Sequence, residues 1–114
     1  MPTAKKVNTK EQIDADLTLK ISGDYKDFHD FYSSNKQLVY EKILDLFTII
    51  STDKKEIAKL VVFYDIEKTT FNTAFNFGKS DKEMLKEVFI PYFSEMEEYE
   101  TCSRVTKLYD TLSN

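Results

Sequence analysis

Between Ile13 and Ile21 the chain alternates strictly: Ile13, Ala15, Leu17, Leu19 and Ile21 are apolar, and Asp14, Asp16, Thr18 and Lys20 separate them. A period of two puts the apolar set on one face of a pleated backbone, which predicts a half-buried strand ended by a turn at Gly23. The spacing of Tyr25, Phe28, Phe31 and Tyr32 then suits a short helix or an aromatic turn. Ser34 and Gln37 stand three apart, as in a capping box. Behind them Val39, Ile43, Leu46, Phe47 and Ile50 form a stripe at helical spacing that runs out near Ser51 to Asp53.

The run from Ile57 to Ile66 is rich in residues that suit pleated backbone and is too short for a stable helix, so it is predicted to be a central strand. Phe71, Thr73, Phe75 and Phe77 alternate with Asn72, Ala74 and Asn76, and the short EKTT segment before them predicts a hairpin. Its lack of Gly or Asn leaves the turn type open. Ser80 and Glu83 suggest a second capping box, followed by a helical pattern through Met84, Val88, Tyr92 and Met96 and on through Cys102, Val105, Leu108 and Leu112. Pro91 lacks a backbone donor and clashes with the preceding turn, which predicts two helical pieces, 81 to about 90 and 91 to 112. The order β-α-β-β-α reads as a two-layer α+β domain with a small antiparallel or mixed three-stranded sheet covered on one face by helices. Residues 1–10, with Lys5, Lys6 and Lys10 and almost nothing apolar, are expected to form a flexible basic arm, and residues 11–114 a single domain.

Composition narrows the class of function. The 114 residues include nine Phe and seven Tyr, enough large side chains to build one core. A single cysteine, Cys102, rules out an intramolecular disulfide and points to a reducing, cytoplasmic setting. The N-terminus has no apolar segment of signal-peptide type, and the longest apolar run, Leu60 to Tyr64, falls far short of a membrane span. A net charge of −4 repels a phosphate backbone, so direct nucleic-acid binding is not expected.

Each candidate for chemistry has a simpler explanation. His29 lies among Asp24, Asp27 and Asp30, but the aspartates are three apart, whereas a calcium loop places its oxygen ligands two apart around a central glycine. The segment therefore reads as a solvated helix face. Cys102 falls on the apolar stripe of the last helix, near Glu97, Glu98 and Glu100, whose negative charges do not favour a nucleophilic thiolate. Phe71, Phe75 and Phe77 resemble a base-stacking platform in spacing, but Thr69 to Gly78 contains no Lys or Arg, and core packing explains them better. No glycine-rich phosphate loop is present, and neither a metal nor a cofactor is expected.

Charge is distributed unevenly. Residues 1–80 hold twelve acids and twelve bases, whereas 81–114 hold eight acids and four bases, so the whole net −4 lies in the last segment. A helix through 91–112 would put Glu95 and Glu98 on one side, with Tyr99 close by, and Glu97 and Glu100 on another. These observations point to a noncatalytic protein-interaction domain in which Glu95, Glu97, Glu98, Tyr99 and Glu100 engage a basic protein surface. An inhibitor or immunity-type protein, such as a toxin neutraliser or a phage-encoded anti-defence inhibitor, could occupy a nucleic-acid enzyme in this way. The alternative is a small-ligand or regulatory domain with a pocket lined by Tyr25, Phe28, Phe31 and Tyr32. Self-association as a homodimer through the hairpin edge or the last helix is a further option.

Overall fold

A computed structural model of the chain describes the backbone of Thr3–Lys6 and residues 14–114. Ile13 and the remainder of the basic arm lie outside the described residues. The strands are β1 (Thr3–Lys6), β2 (Leu17–Tyr25), β3 (Ile57–Ile66) and β4 (Thr69–Gly78). The helices are α1 (Phe28–Ser34), α2 (Lys36–Thr52), α3 (Ile90–Glu95) and α4 (Tyr99–Ser113), with a π-turn over Leu85–Phe89 leading into α3. The domain is a small, single α+β unit with a mixed sheet and helices on one face.

The strand order is β1-β4-β3-β2. β2 and β3 run parallel, joined by a crossover through α1 and α2, and β3 and β4 form an antiparallel hairpin. The arm expected over residues 1–10 is not free along its whole length, because Thr3–Lys6 pairs antiparallel with β4, from Thr3 opposite Ala74 to Lys6 opposite Phe71. Backbone hydrogen bonding offered by the outer edge of β4 supplies what the arm's side chains lack.

Pleat alternation and burial divide β3 between two surfaces. Ala58, Leu60, Val62 and Tyr64 join the core beneath the helices, where they meet the α2 stripe of Val39, Ile43, Leu46, Phe47 and Ile50. Val61 and Phe63 lie on the opposite face by alternation and are buried too. Aromatic rings fill the main core: Phe31 stacks on Tyr64 with centroids 4.1 Å apart, and Tyr64 shares a 2.8 Å hydroxyl contact with Thr73. Burial raises the Tyr64 pKa, partly offset by the Thr73 hydrogen bond, so the phenol stays neutral and needs that partner.

Several local expectations are corrected. β2 does not end at Gly23; Gly23 adopts φ +123° and forms part of a bulge, after which the strand continues to Tyr25. A glycine tolerates this backbone where other residues are strained. The Ser34/Gln37 capping box is absent: Ser34 ends α1, Asn35 is the N-cap of α2 without a side-chain cap bond, and its amide instead donates to the Phe31 carbonyl at 2.8 Å. The acceptor that caps α1 is Asp27, which takes a hydrogen bond from the Asp30 N–H at 2.8 Å, while the Asp30 carboxylate takes one from the Lys26 N–H. The Ser80/Glu83 box is replaced by Asp81, whose carboxylate accepts from the Gly78 N–H at 2.7 Å, and the Glu83 carboxylate accepts from Tyr109.

Pro91 does not divide the last helical segment. The chain widens into the π-turn over Leu85–Phe89, with the Ile90 N–H donating to the Leu85 carbonyl, and α3 begins at Ile90 with Pro91 in its first turn. The wider turn loosens the ring-to-carbonyl contact that would otherwise break an α-helix. The break falls instead at Met96–Glu98, between α3 and α4.

Candidate functional site

The sequence places its acidic run across this break. α3 closes with paired hydrogen bonds: the Glu98 N–H donates to the Phe93 carbonyl at 2.8 Å and the Glu97 N–H to the Ser94 carbonyl at 3.0 Å. That is the Schellman pattern, which needs a left-handed residue after the helix, usually glycine. Glu97 fills the position at φ +59°. The expected sharing of helix faces by Glu95 with Glu98 and by Glu97 with Glu100 therefore does not occur, because these residues straddle a turn rather than a single helix.

The turn clusters acid at the start of α4. Glu98 is its N-cap residue and Glu100 lies in its first turn, where the positive end of the helix dipole offsets part of the repulsion between carboxylates. From α2, the Gln37 amide donates to Glu98 at 3.4 Å and to Glu41 at 3.3 Å, adding a third element to the acidic surface. No ion pair among the described residues joins Glu95, Glu97, Glu98 or Glu100 to a lysine or arginine. The Lys36 ammonium is directed elsewhere, 5.5 Å from the Tyr40 ring centroid and 5.4 Å from that of Tyr92. Three large apolar side chains are also exposed here or on the facing turn of α2: Tyr99 at 63%, Leu38 at 45% and Met96 at 42%. Leu38 and Glu41 were not singled out by sequence reasoning. Their signal was weak, since Leu38 sits beside the apolar stripe of α2 and Glu41 is a lone acid among lysines.

The other candidates fall where structure, rather than chemistry, explains them. His29 is exposed in α1, and its carbonyl accepts from Ser33 at 2.8 Å. Cys102 is half-buried, with Sγ 3.7 Å from the Ile90 carbonyl. Phe75 is buried, and Phe71 and Phe77 pack against the core, with Phe77 5.7 Å from Phe47 between ring centroids. Tyr25, Phe28, Phe31 and Tyr32 pack into one another and the core: Phe28 and Tyr32 stack at 5.9 Å, and Tyr25 meets Phe31 edge-on at 5.5 Å. Burial, followed by hydrogen bonding to Tyr40, raises the Tyr32 pKa. Among the described residues no group of three or more His, Cys, Asp or Glu side chains is arranged to hold a metal ion, and no helix is long and apolar enough to cross a membrane.

No protein-family model, curated protein or solved structure matches the chain.

Proposed function

We propose that this protein is a noncatalytic interaction domain whose α3–α4 turn engages a basic surface on another protein. The observation that supports this reading is the convergence of Glu95, Glu97, Glu98 and Glu100 at one turn, without an ion-paired cation among the described residues and beside exposed Tyr99. Carboxylates at this density steer a cationic partner toward the turn and disfavour acidic competitors. Tyr99, amphipathic and low in rotamer entropy, suits the centre of such a contact. A nucleic-acid enzyme presents a basic groove of the complementary kind, so an inhibitor of the immunity or anti-defence class is the form of activity proposed.

The test pairs wild type with a variant carrying Gln at positions 95, 97, 98 and 100. Tagged protein captures partners from source or host lysate, and the partner is then purified and its affinity measured across a salt series. The expected result is a basic partner whose association slows with rising salt and whose affinity falls at least tenfold in the folded Gln variant. Equal affinity and an equal salt slope for both proteins would refute the mechanism.

A further inference from the structure

The face of the sheet opposite α1–α4 holds a different kind of site. β2 and β3 pair regularly from Leu17 opposite Leu60 to Lys20 opposite Phe63, and pairing resumes only at Asp24 opposite Asp65. Three residues of β2, Ile21 to Gly23, thus stand against Tyr64 alone. A bulge of this size gives up ladder hydrogen bonds and depends on the left-handed Gly23, and bulges of this kind commonly re-aim side chains next to functional sites. Here it interrupts the pairing of the two parallel strands between Lys20 and Asp24, and pairing resumes from Asp24 to the ends of both strands.

The bulge borders a depression of about 320 Å³ lined by Lys20, Ile21, Ser22, Phe63, Tyr64, Asp65 and Thr70. This is the small end of the range for ligand pockets. Phe63, only 6% exposed, gives it an apolar floor. The Thr70 hydroxyl donates to Asp65 Oδ1 at 2.6 Å and fixes the orientation of that carboxylate. Lys20 is exposed, and its side chain makes no ion pair or hydrogen bond among the described residues.

Register puts Lys20, which pairs with Phe63, on the same face as Asp65, and both line the depression. Opposite charges on one depression, without a direct ion pair among the described residues, can be bridged by a molecule that carries both a carboxylate and an ammonium. We infer that the β2–β3 bulge is a binding site for a small zwitterion of the apolar amino-acid class, with its carboxylate on Lys20, its ammonium on Asp65 and its side chain over Phe63. A cavity beside Lys54, Lys55 and Lys79 has more positive charge, but it lies against the C-terminal turns of α2 and α4, whose carbonyl ends disfavour an anion.

The experiment titrates the full chain with L-phenylalanine and L-leucine at millimolar concentration and follows backbone amide shifts by NMR. The expected result is saturable shifts confined to Lys20–Asp24, Phe63–Asp65 and Thr70, weakened at least fivefold by Lys20→Met and by Asp65→Asn. Truncated ligands keep the test independent of the variants. Phenethylamine, which lacks the carboxylate, should bind wild type more weakly and ignore Lys20→Met; 3-phenylpropionate, which lacks the ammonium, should ignore Asp65→Asn. Absence of saturable shifts with both amino acids, or affinities unchanged by both substitutions, would overturn the assignment.

Discussion

Replacing Glu97 with glycine isolates the backbone of the candidate site from its charge. At φ +59° a side chain crowds the following carbonyl, at a cost of about 1–2 kcal/mol. Glycine removes that cost but loses more chain entropy on folding, by roughly 0.5–1 kcal/mol. Removal of one carboxylate from a crowded turn adds a few tenths of a kcal/mol. The sum is a net stabilisation of about 0.5–1 kcal/mol, and both Schellman hydrogen bonds are retained because they use backbone atoms only. With an m-value near 1.5 kcal/mol/M, the urea midpoint should rise by roughly 0.3–0.7 M without a change in slope. Glu97→Gln, which keeps the backbone penalty and removes the charge, should shift the midpoint much less, and Glu97→Asn should fall between the two. A midpoint raised as far by Gln as by Gly would show that charge repulsion, not the left-handed backbone, strains this turn. A lowered midpoint for Gly would refute the conformational argument outright.

Three further outcomes are expected. The β3–β4 turn holds Glu67 at φ +48° and Lys68 at φ +66°, a two-residue left-handed turn that favours Asn-Gly, so Glu67→Asn with Lys68→Gly should stabilise the fold by about 1 kcal/mol in chemical denaturation. The Asp24 and Tyr25 contacts to this turn use the backbone N–H groups of Lys68 and Glu67 and should survive; a destabilised double variant would contradict the steric account. At Gly78 an added Cβ would stand 2.5 Å from the Glu56 carbonyl, which is backbone and cannot swing away, so Gly78→Ala should cost about 2 kcal/mol, with an unchanged Tm as the refuting result. Asp16 is held below the usual carboxylate range by the Lys55 ammonium at 2.6 Å and then by the Lys59 N–H at 2.8 Å. Because the folded pKa is depressed, its contribution is present above the unfolded pKa and is lost as pH falls through the folded one. The stability deficit of Asp16→Asn should therefore be full at neutral pH and shrink below about pH 4. A deficit that does not change with pH would assign the role to shape rather than charge.

Period and composition alone determined much of this protein. The alternation in β2 and β4, the pleat-favouring run of β3, the five-residue stripe of α2 and the α+β class all follow from local rules, because apolar side chains at period two or 3.6 have only one way to reach a common core. The acidic character of residues 81–114 was equally legible, since charge is a property of the residues themselves. Tertiary structure decided how those residues are presented. Pro91 marked a break that the π-turn avoids, and Glu97, a residue without the usual turn signature, forms the break at φ +59° with the two Schellman bonds that close α3. Capping followed the same division: the boxes expected at Ser34 and Ser80 do not form, and Asp27 and Asp81 act as acceptors at other helix starts, as competing acceptors are resolved only once the chain's direction is set. Strand order, the pairing of Thr3–Lys6 with β4 and the parting of β2 from β3 at Gly23 depend on contacts between distant segments. Local spacing does not encode such contacts, and so both the face shared by Lys20 and Asp65 and the hydrogen bond of Gln37 to Glu98 emerge only from the fold.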